Sequence, residues 1–164
     1  MSSPDPLPIY SVDSSSFMDW QARFYPADVF TGLVQKIEAL IADGRLRAPV
    51  LVREEIEAVG TAGLIQWAQN QTDVFVPTAE VLVDAQTIQN QFPGLRDPKA
   101  EFEEADAYVI ALARSRSGIV VTQRPLPLRS GIRNEHTFIP DVCRELGVPC
   151  ISLLGLIRRE RWNF

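Results

Sequence analysis

Three acidic positions in this chain have the type and placement to hold a cation. Asp13 follows directly on the apolar run Ile9–Val12 and begins the stretch Asp-Ser-Ser-Ser. A carboxylate there either caps the next helix or points into a ligand crevice at the end of a strand. Glu55 stands with Glu54 and Glu57 at the expected opening of the helix after a second strand, where the helix dipole favours acids with or without a ligand. Asp106 is more telling. On a helical wheel drawn from Phe102, the apolar residues Leu112, Ala105, Val109, Ala113 and Ile110 form one arc, and Asp106 falls inside it, whereas Glu103, Glu104 and Arg114 fall outside. A carboxylate on a packed face is costly unless arginine or backbone donors satisfy it or a polar site reaches it. Carboxylates gathered at one place repel each other, and a hard divalent ion such as Mg²⁺ or Mn²⁺ relieves that repulsion. Such an ion activates water for phosphoryl chemistry.

The elements that must position these acids alternate between strand and helix. Strands are expected at Ile9–Val12, Leu46–Val50, Val74–Val76, Gly118–Thr122 and Val148–Ser152. Helices are expected at Ala27–Asp43, through Glu54–Val59, at Ala62–Asn70, at Thr78–Gln91 with Thr78 as cap, at Lys99–Ser115, at Ile139–Leu146 with Pro140 in the first turn, and at Leu153–Arg161. A long segment, Gln123–Phe138, separates the fourth strand from the next helix. Five apolar strands separated by helices imply a parallel sheet covered on both faces, with its ligand crevice at the carboxyl ends of the strands.

Length and composition bound the reading further. The 164 residues suit one domain, expected at 9–164 behind a short flexible leader at 1–8. No apolar run approaches the roughly 18 residues of a membrane span, and the first residues lack the basic start and apolar stretch of a signal peptide. Two cysteines cannot build a disulfide framework and fit a reducing cytoplasm. The single histidine, His136, argues against a zinc site made mainly of histidines. The net charge of −5 is unevenly spread. Residues 1–109 carry 17 acids and 7 bases; residues 110–164 carry 4 acids and 9 bases, every one of them arginine. Arginine grips phosphate with a rigid fork, so the basic portion hints at phosphate recognition, although such asymmetry also occurs in ordinary enzymes.

The order of the motifs is familiar. Tyr10-Ser-Val-Asp13-Ser-Ser15, Val52-Arg-Glu-Glu55-Ile56, Ala105-Asp106-Ala-Tyr-Val-Ile110-Ala-Leu-Ala113 and Val120-Val-Thr122 resemble the PIN-domain nucleases, which include the VapC-type toxins of bacterial toxin–antitoxin modules. More narrowly, Ile139-Pro-Asp-Val-Cys143 followed by Gly147-Val-Pro-Cys150 resembles an uncharacterised PIN-like branch. The resemblance implies a three-layer α/β/α fold with a five-stranded parallel sheet, and a Mg²⁺- or Mn²⁺-dependent endoribonuclease. It places the metal-binding, catalytic acids at Asp13, Glu55 and Asp106, and it implies that Ser15 and Thr122 orient carboxylates or bound water. A cognate antitoxin and a homodimer are further implications of the resemblance.

One position departs from the pattern. Many PIN nucleases carry another acid two residues after the threonine, where this chain has Arg124. Asp141 is a possible replacement, with a helix first turn as its alternative role. Without it the site keeps three acids, and the protein could instead be a weak or inactive PIN-like module that binds RNA or protein. Arg124, Arg129 and Arg133 would meet an RNA backbone at the crevice edge, unless they serve a solvated loop or neutralise the acids. Arg158, Arg159 and Arg161 suit a helix carboxyl end. Cys143 and Cys150 have neither zinc-knuckle nor redox-pair spacing and are expected to pack. Trp20, Phe24 and Tyr25 could stack on bases, but packing is the default. A receiver domain would need a lysine after the last strand, and a haloacid-dehalogenase-type phosphatase an Asp two residues after Asp13; neither is present.

Overall fold

The strands are short and almost wholly apolar, as strands must be when helices cover both sides of a sheet. In a computed structural model that describes residues 6–96, 104–123 and 138–164, they are β1 (Tyr10–Val12), β2 (Leu46–Pro49), β3 (Phe75–Val76), β4 (Ile119–Val121) and β5 (Cys150–Ile151). All pair in parallel, in the order β3-β2-β1-β4-β5. The helices are α1 (Ser14–Met18), α2 (Thr31–Ala42), α3 (Val50–Val59), α4 (Ala62–Asn70), α5 (Leu82–Gln91), α6 (Asp106–Ser115), α7 (Ile139–Leu146) and α8 (Leu153–Arg159). The result is the expected three-layer α/β/α sandwich. Expectations for the leader at 1–5, Lys99, Arg124, Arg129, Arg133 and His136 lie outside the described residues.

Strand order locates the crevice. The chain builds from β1 outward through β2 to β3, then returns to the other side of β1 with β4 and β5. The order therefore reverses between β1 and β4, and the crevice of such a sheet lies beyond the carboxyl ends of those two strands. Val12 pairs with Val121, which leaves Asp13 and Thr122 side by side one step past the sheet.

Each helix connecting two parallel strands runs antiparallel to them, so α3, α6 and α7 begin at this same carboxyl edge. Helix α6 is the most buried: every residue from Ala107 to Ala113 is inaccessible. It packs on β1, where the Ser11 hydroxyl donates to the Val109 carbonyl at 2.7 Å. On the far side of the core, Phe17, Trp20 and Trp67 form an aromatic cluster, with Trp20 and Trp67 edge to face at 4.9 Å. Trp20 is a core residue, as its default reading held, while Phe24 is exposed.

Several boundaries move. Helix α2 begins at Thr31 instead of Ala27, because Val29 and Phe30 close a turn on the Pro26 carbonyl. Val29 accordingly faces solvent instead of the core. Thr78 caps no α-helix: it opens a 3-10 turn, Thr78–Glu80, and α5 starts afterwards at Leu82. Helix α3 starts at Val50, straight after Pro49, whose fixed φ suits a helix entry. Glu55 therefore sits one and a half turns into α3 and not at its opening, which removes the helix dipole as its explanation. Among the described residues α6 starts at Asp106, with Glu104 and Ala105 outside the helix. Asp106 is thus a half-buried first-turn acid, not a charge in mid-helix on a packed face, and the dipole favours it there.

Candidate active site

Asp13 lies at the point where the strand order reverses and is 2 % exposed. Its backbone is extended and its amide donates to the Val121 carbonyl at 3.1 Å, so the chain leaves β1 still tied to β4. The following Ser-Ser-Ser then turns into α1, and Asp13 caps that helix by accepting from the Ser16 amide at 3.0 Å. The cap and the crevice position are therefore the same residue, not alternatives.

Three hydroxyls converge on the same carboxylate. Thr122 donates to Oδ2 at 2.5 Å, Ser15 reaches Oδ1 and Oδ2 at 2.8 and 2.9 Å, and Ser16 reaches Oδ1 at 3.1 Å. Burial pushes the Asp13 carboxyl above the usual carboxylate range, and the hydrogen bonds from Thr122, Ser15 and Ser16 pull it back only in part. Ser15 and Thr122 thus both touch the Asp13 carboxylate.

Glu55 joins this group indirectly. It is half-buried on α3 and accepts from the Ser14 hydroxyl at 3.3 Å, which links the second acid to the residue next to the first. Asp106 reaches the same edge by topology. Asp13, two residues after Ser11 on an extended strand, shares the sheet face that α6 covers, and Asp106 is the first residue of α6. Asp141 lies in the first turn of α7, where its Oδ2 accepts from the Phe138 amide at 3.2 Å. It does the work of a helix start, the alternative role foreseen for it. Among the described residues, no three His, Cys, Asp or Glu side chains form a ready metal-binding group.

Two residues not singled out by their sequence neighbourhood complete the site. Asp19 opens a π-helical turn, Asp19–Arg23, and is 5 % exposed, with Arg23 at 3.4 Å. Gln123 follows Thr122 and binds in three directions: its amide to the Ser15 hydroxyl at 3.0 Å, its Nε2 to Asp19 at 3.0 Å, and its Oε1 accepting from the Leu153 amide at 2.7 Å. The only available signal was position, six residues after Asp13 and one after Thr122. Clefts open on both sides of this knot. One, of about 390 Å³, is lined by Ser14, Ser15, Asp19, Arg23 and Gln123. The other, of about 420 Å³, runs over Thr122, Pro140, Arg144, Cys150 and Ser152.

Cys143 on α7 is buried in the core and Cys150 on β5 packs half-buried against it, as expected of them. The turn through Gly147, whose φ of 69° few other residues adopt, folds the chain back between them.

The carboxylates and hydroxyls of this edge are hard oxygen donors, the kind that Mg²⁺ and Mn²⁺ accept. The chain belongs to the family described as a domain of unknown function (DUF4411), whose profile matches residues 10–164. No curated protein matches the chain.

Proposed function

We propose that this protein is a Mg²⁺- or Mn²⁺-dependent endoribonuclease of PIN type, the toxin of a bacterial toxin–antitoxin module acting in the cytoplasm. The observation that carries the reading is Asp13: a buried carboxylate at the reversal of strand order, ringed by Ser15, Ser16 and Thr122 and linked through Ser14 to Glu55. Burial leaves the Asp13 carboxyl above its ordinary pKa in spite of its helix cap and its hydroxyl partners, a cost that supports a use for this carboxylate beyond packing.

In this reading Asp13, Glu55 and Asp106 hold the cation, and Asp141 remains the fourth acid only if it gives up its bond to the Phe138 amide. When bound, the ion supplies an activated water and stabilises charge on the scissile phosphate. The residues themselves do the positioning. Thr122 and Ser15 fix the Asp13 carboxylate, Gln123 locks Ser15 against Asp19, and Ser14 holds Glu55. Arg124, Arg129 and Arg133 are assigned to the RNA backbone by their place in the sequence after β4. An antitoxin covering the arginine-bearing crevice, and a homodimer, complete the proposal.

The test is cleavage of structured and unstructured RNAs by the purified full chain, with and without Mn²⁺, beside an Asp106→Asn variant. Metal-dependent cutting that the variant loses supports the reading. Cutting at the normal rate by the variant removes Asp106 from the site.

A second reading has its own observation. Asp13 is already satisfied by hydroxyls and an amide, and the described residues hold no ready three-acid group. That arrangement suits a PIN-like module that binds RNA or protein without cutting. Calorimetric titration with Mn²⁺ separates the two, since absence of binding at millimolar concentration favours the module.

A further inference from the structure

We propose that the cleft of about 390 Å³ between the end of α3 and the Asp19–Arg23 turn holds one nucleotide of single-stranded RNA, its phosphate on Arg23 and its base against Met18 and Val59. The subsite rests on the nuclease reading, which puts the neighbouring phosphate at the acids. The cleft adjoins those acids. Ser14 lines it and donates to Glu55 at 3.3 Å, and Val59 lies one helical turn beyond Glu55 on the same face of α3. A strand with one phosphate at the acids therefore carries its next nucleotide into this cleft. Its volume lies near the lower end of the roughly 300–1,000 Å³ of small-ligand sites, which suits one nucleotide and not a duplex.

The polar groups of the floor are already engaged: Ser14 with Glu55, Ser15 with Asp13, and the Gln123 side chain with Asp19 and the Leu153 amide. They leave little with which to read the edge of a base. What faces a ligand is cationic and apolar. The Arg23 side chain is 66 % exposed, and among the described residues Asp19 alone engages it, through one guanidinium nitrogen at 3.4 Å. The buried Asp19 steadies the guanidinium, whose remaining N–H groups can fork onto phosphate oxygens. Val59 is 75 % exposed, a branched apolar side chain on the same cleft as this cation. A cationic grip beside an apolar wall holds a single strand with little regard to its sequence. The turn that carries Arg23 is π-helical, closed by the Phe24 amide on the Asp19 carbonyl at 3.0 Å, an irregularity that recurs at functional sites.

The experiment measures binding of a short fluorescent single-stranded RNA to the full chain by anisotropy, in chelator so that nothing is cut, over a range of salt. Arg23→Gln should weaken binding about 10-fold, as loss of a charged hydrogen bond does. It should also make the slope of log affinity against log salt shallower by about 0.7, the share of one phosphate contact on a single strand. Arg23→Lys should restore the slope. Val59→Ser should weaken binding of the RNA but not of inorganic tripolyphosphate. Arg116→Gln removes an arginine paired with Glu80 at the opposite edge of the sheet and should change nothing. Binding by Arg23→Gln with the parent's affinity and slope would overturn the subsite, as would a parent that binds no RNA at low salt. Polyglutamate competing as well as RNA would overturn it in favour of an acidic peptide. Cleavage by the parent with Mn²⁺ is scored beside it. Cutting combined with a neutral Arg23 variant sinks the subsite alone, whereas Arg23-dependent binding without cutting sinks the nuclease reading and leaves the subsite standing.

Discussion

Thr122 donates its hydroxyl to Asp13 at 2.5 Å, across the two strands between which the order of the sheet reverses. The contact follows from the pairing of Val12 with Val121, which carries the two residues past the sheet in step. It makes Thr122 the residue that fixes the first acid without itself being charged.

Thr122→Val keeps the shape and removes the donor. Loss of one hydrogen bond to a buried carboxylate should lower stability by about 1–3 kcal/mol. If Asp13 is the cation ligand, RNA cleavage should fall about 10–100-fold, the usual effect of removing a partner that orients a ligand. Thr122→Ser retains the hydroxyl and should recover most of both. Urea unfolding and a cleavage assay on the three proteins check it; a valine variant that cuts normally would detach Thr122 from the chemistry.

Asp13→Asn should abolish cleavage yet raise the melting temperature at neutral pH in chelator. Burial lifts the Asp13 pKa in the folded state, so its favourable contribution belongs to the protonated form and is lost as pH rises through the raised value. Asparagine carries no charge and still caps a helix well. The gap between variant and parent should therefore widen with rising pH and shrink in acid, with each kcal/mol worth roughly 2–4 °C in a chain of this size. Melting curves across pH read it directly.

Glu55 separates site from surface. It lies midway along α3, held by Ser14. As a cation ligand, Glu55→Gln should cost at least the 10–100-fold expected for groups around a metal and weaken Mn²⁺ binding in calorimetry, while Ser14→Ala costs less. As an ordinary helix acid, Glu55→Gln should change neither cleavage nor binding, and its stability effect should stay within about 0.5 kcal/mol.

The sheet was readable because its strands are apolar runs bounded by helix signals; Ala62–Asn70 and Ile139–Leu146 fall where their patterns place them. The helix beginnings were less legible. Phe102 and Ala105 extend the apolar arc of α6 on paper, but apolar periodicity says which face would pack, not where the chain starts to coil, and the described helix begins only at Asp106. Asp13 could be placed because it follows a strand. Asp19 and Gln123 could not, since their importance lies in partners distant in sequence: Gln123 meets Asp19 across 104 positions and Leu153 across 30.

The opposite edge of the sheet makes the last prediction, one about stability alone. Glu160, just beyond α8, accepts from the Tyr10 hydroxyl at 2.6 Å and from Arg45 at 2.7 Å, tying the end of the chain to the first strand. Burial pushes the Glu160 carboxyl up, but the hydrogen bonds from Arg45 and Tyr10 outweigh it and leave the pKa below its usual value. Burial, with the Glu160 hydrogen bond, raises Tyr10, so its hydroxyl stays a donor. Asp43 also faces Arg45, and Arg159 faces Glu160, so the group carries near-balanced charge. A depressed acid contributes stability above its unfolded pKa and loses it as pH falls through the folded one. Glu160→Gln should therefore cost about 1.5–3 kcal/mol at neutral pH, the range for hydrogen bonds to a charged group. The deficit should close below the ordinary glutamate range, while cleavage per folded molecule is unchanged. Paired denaturation curves at neutral and acid pH test it; a deficit that persists in acid would assign the loss to packing instead of charge.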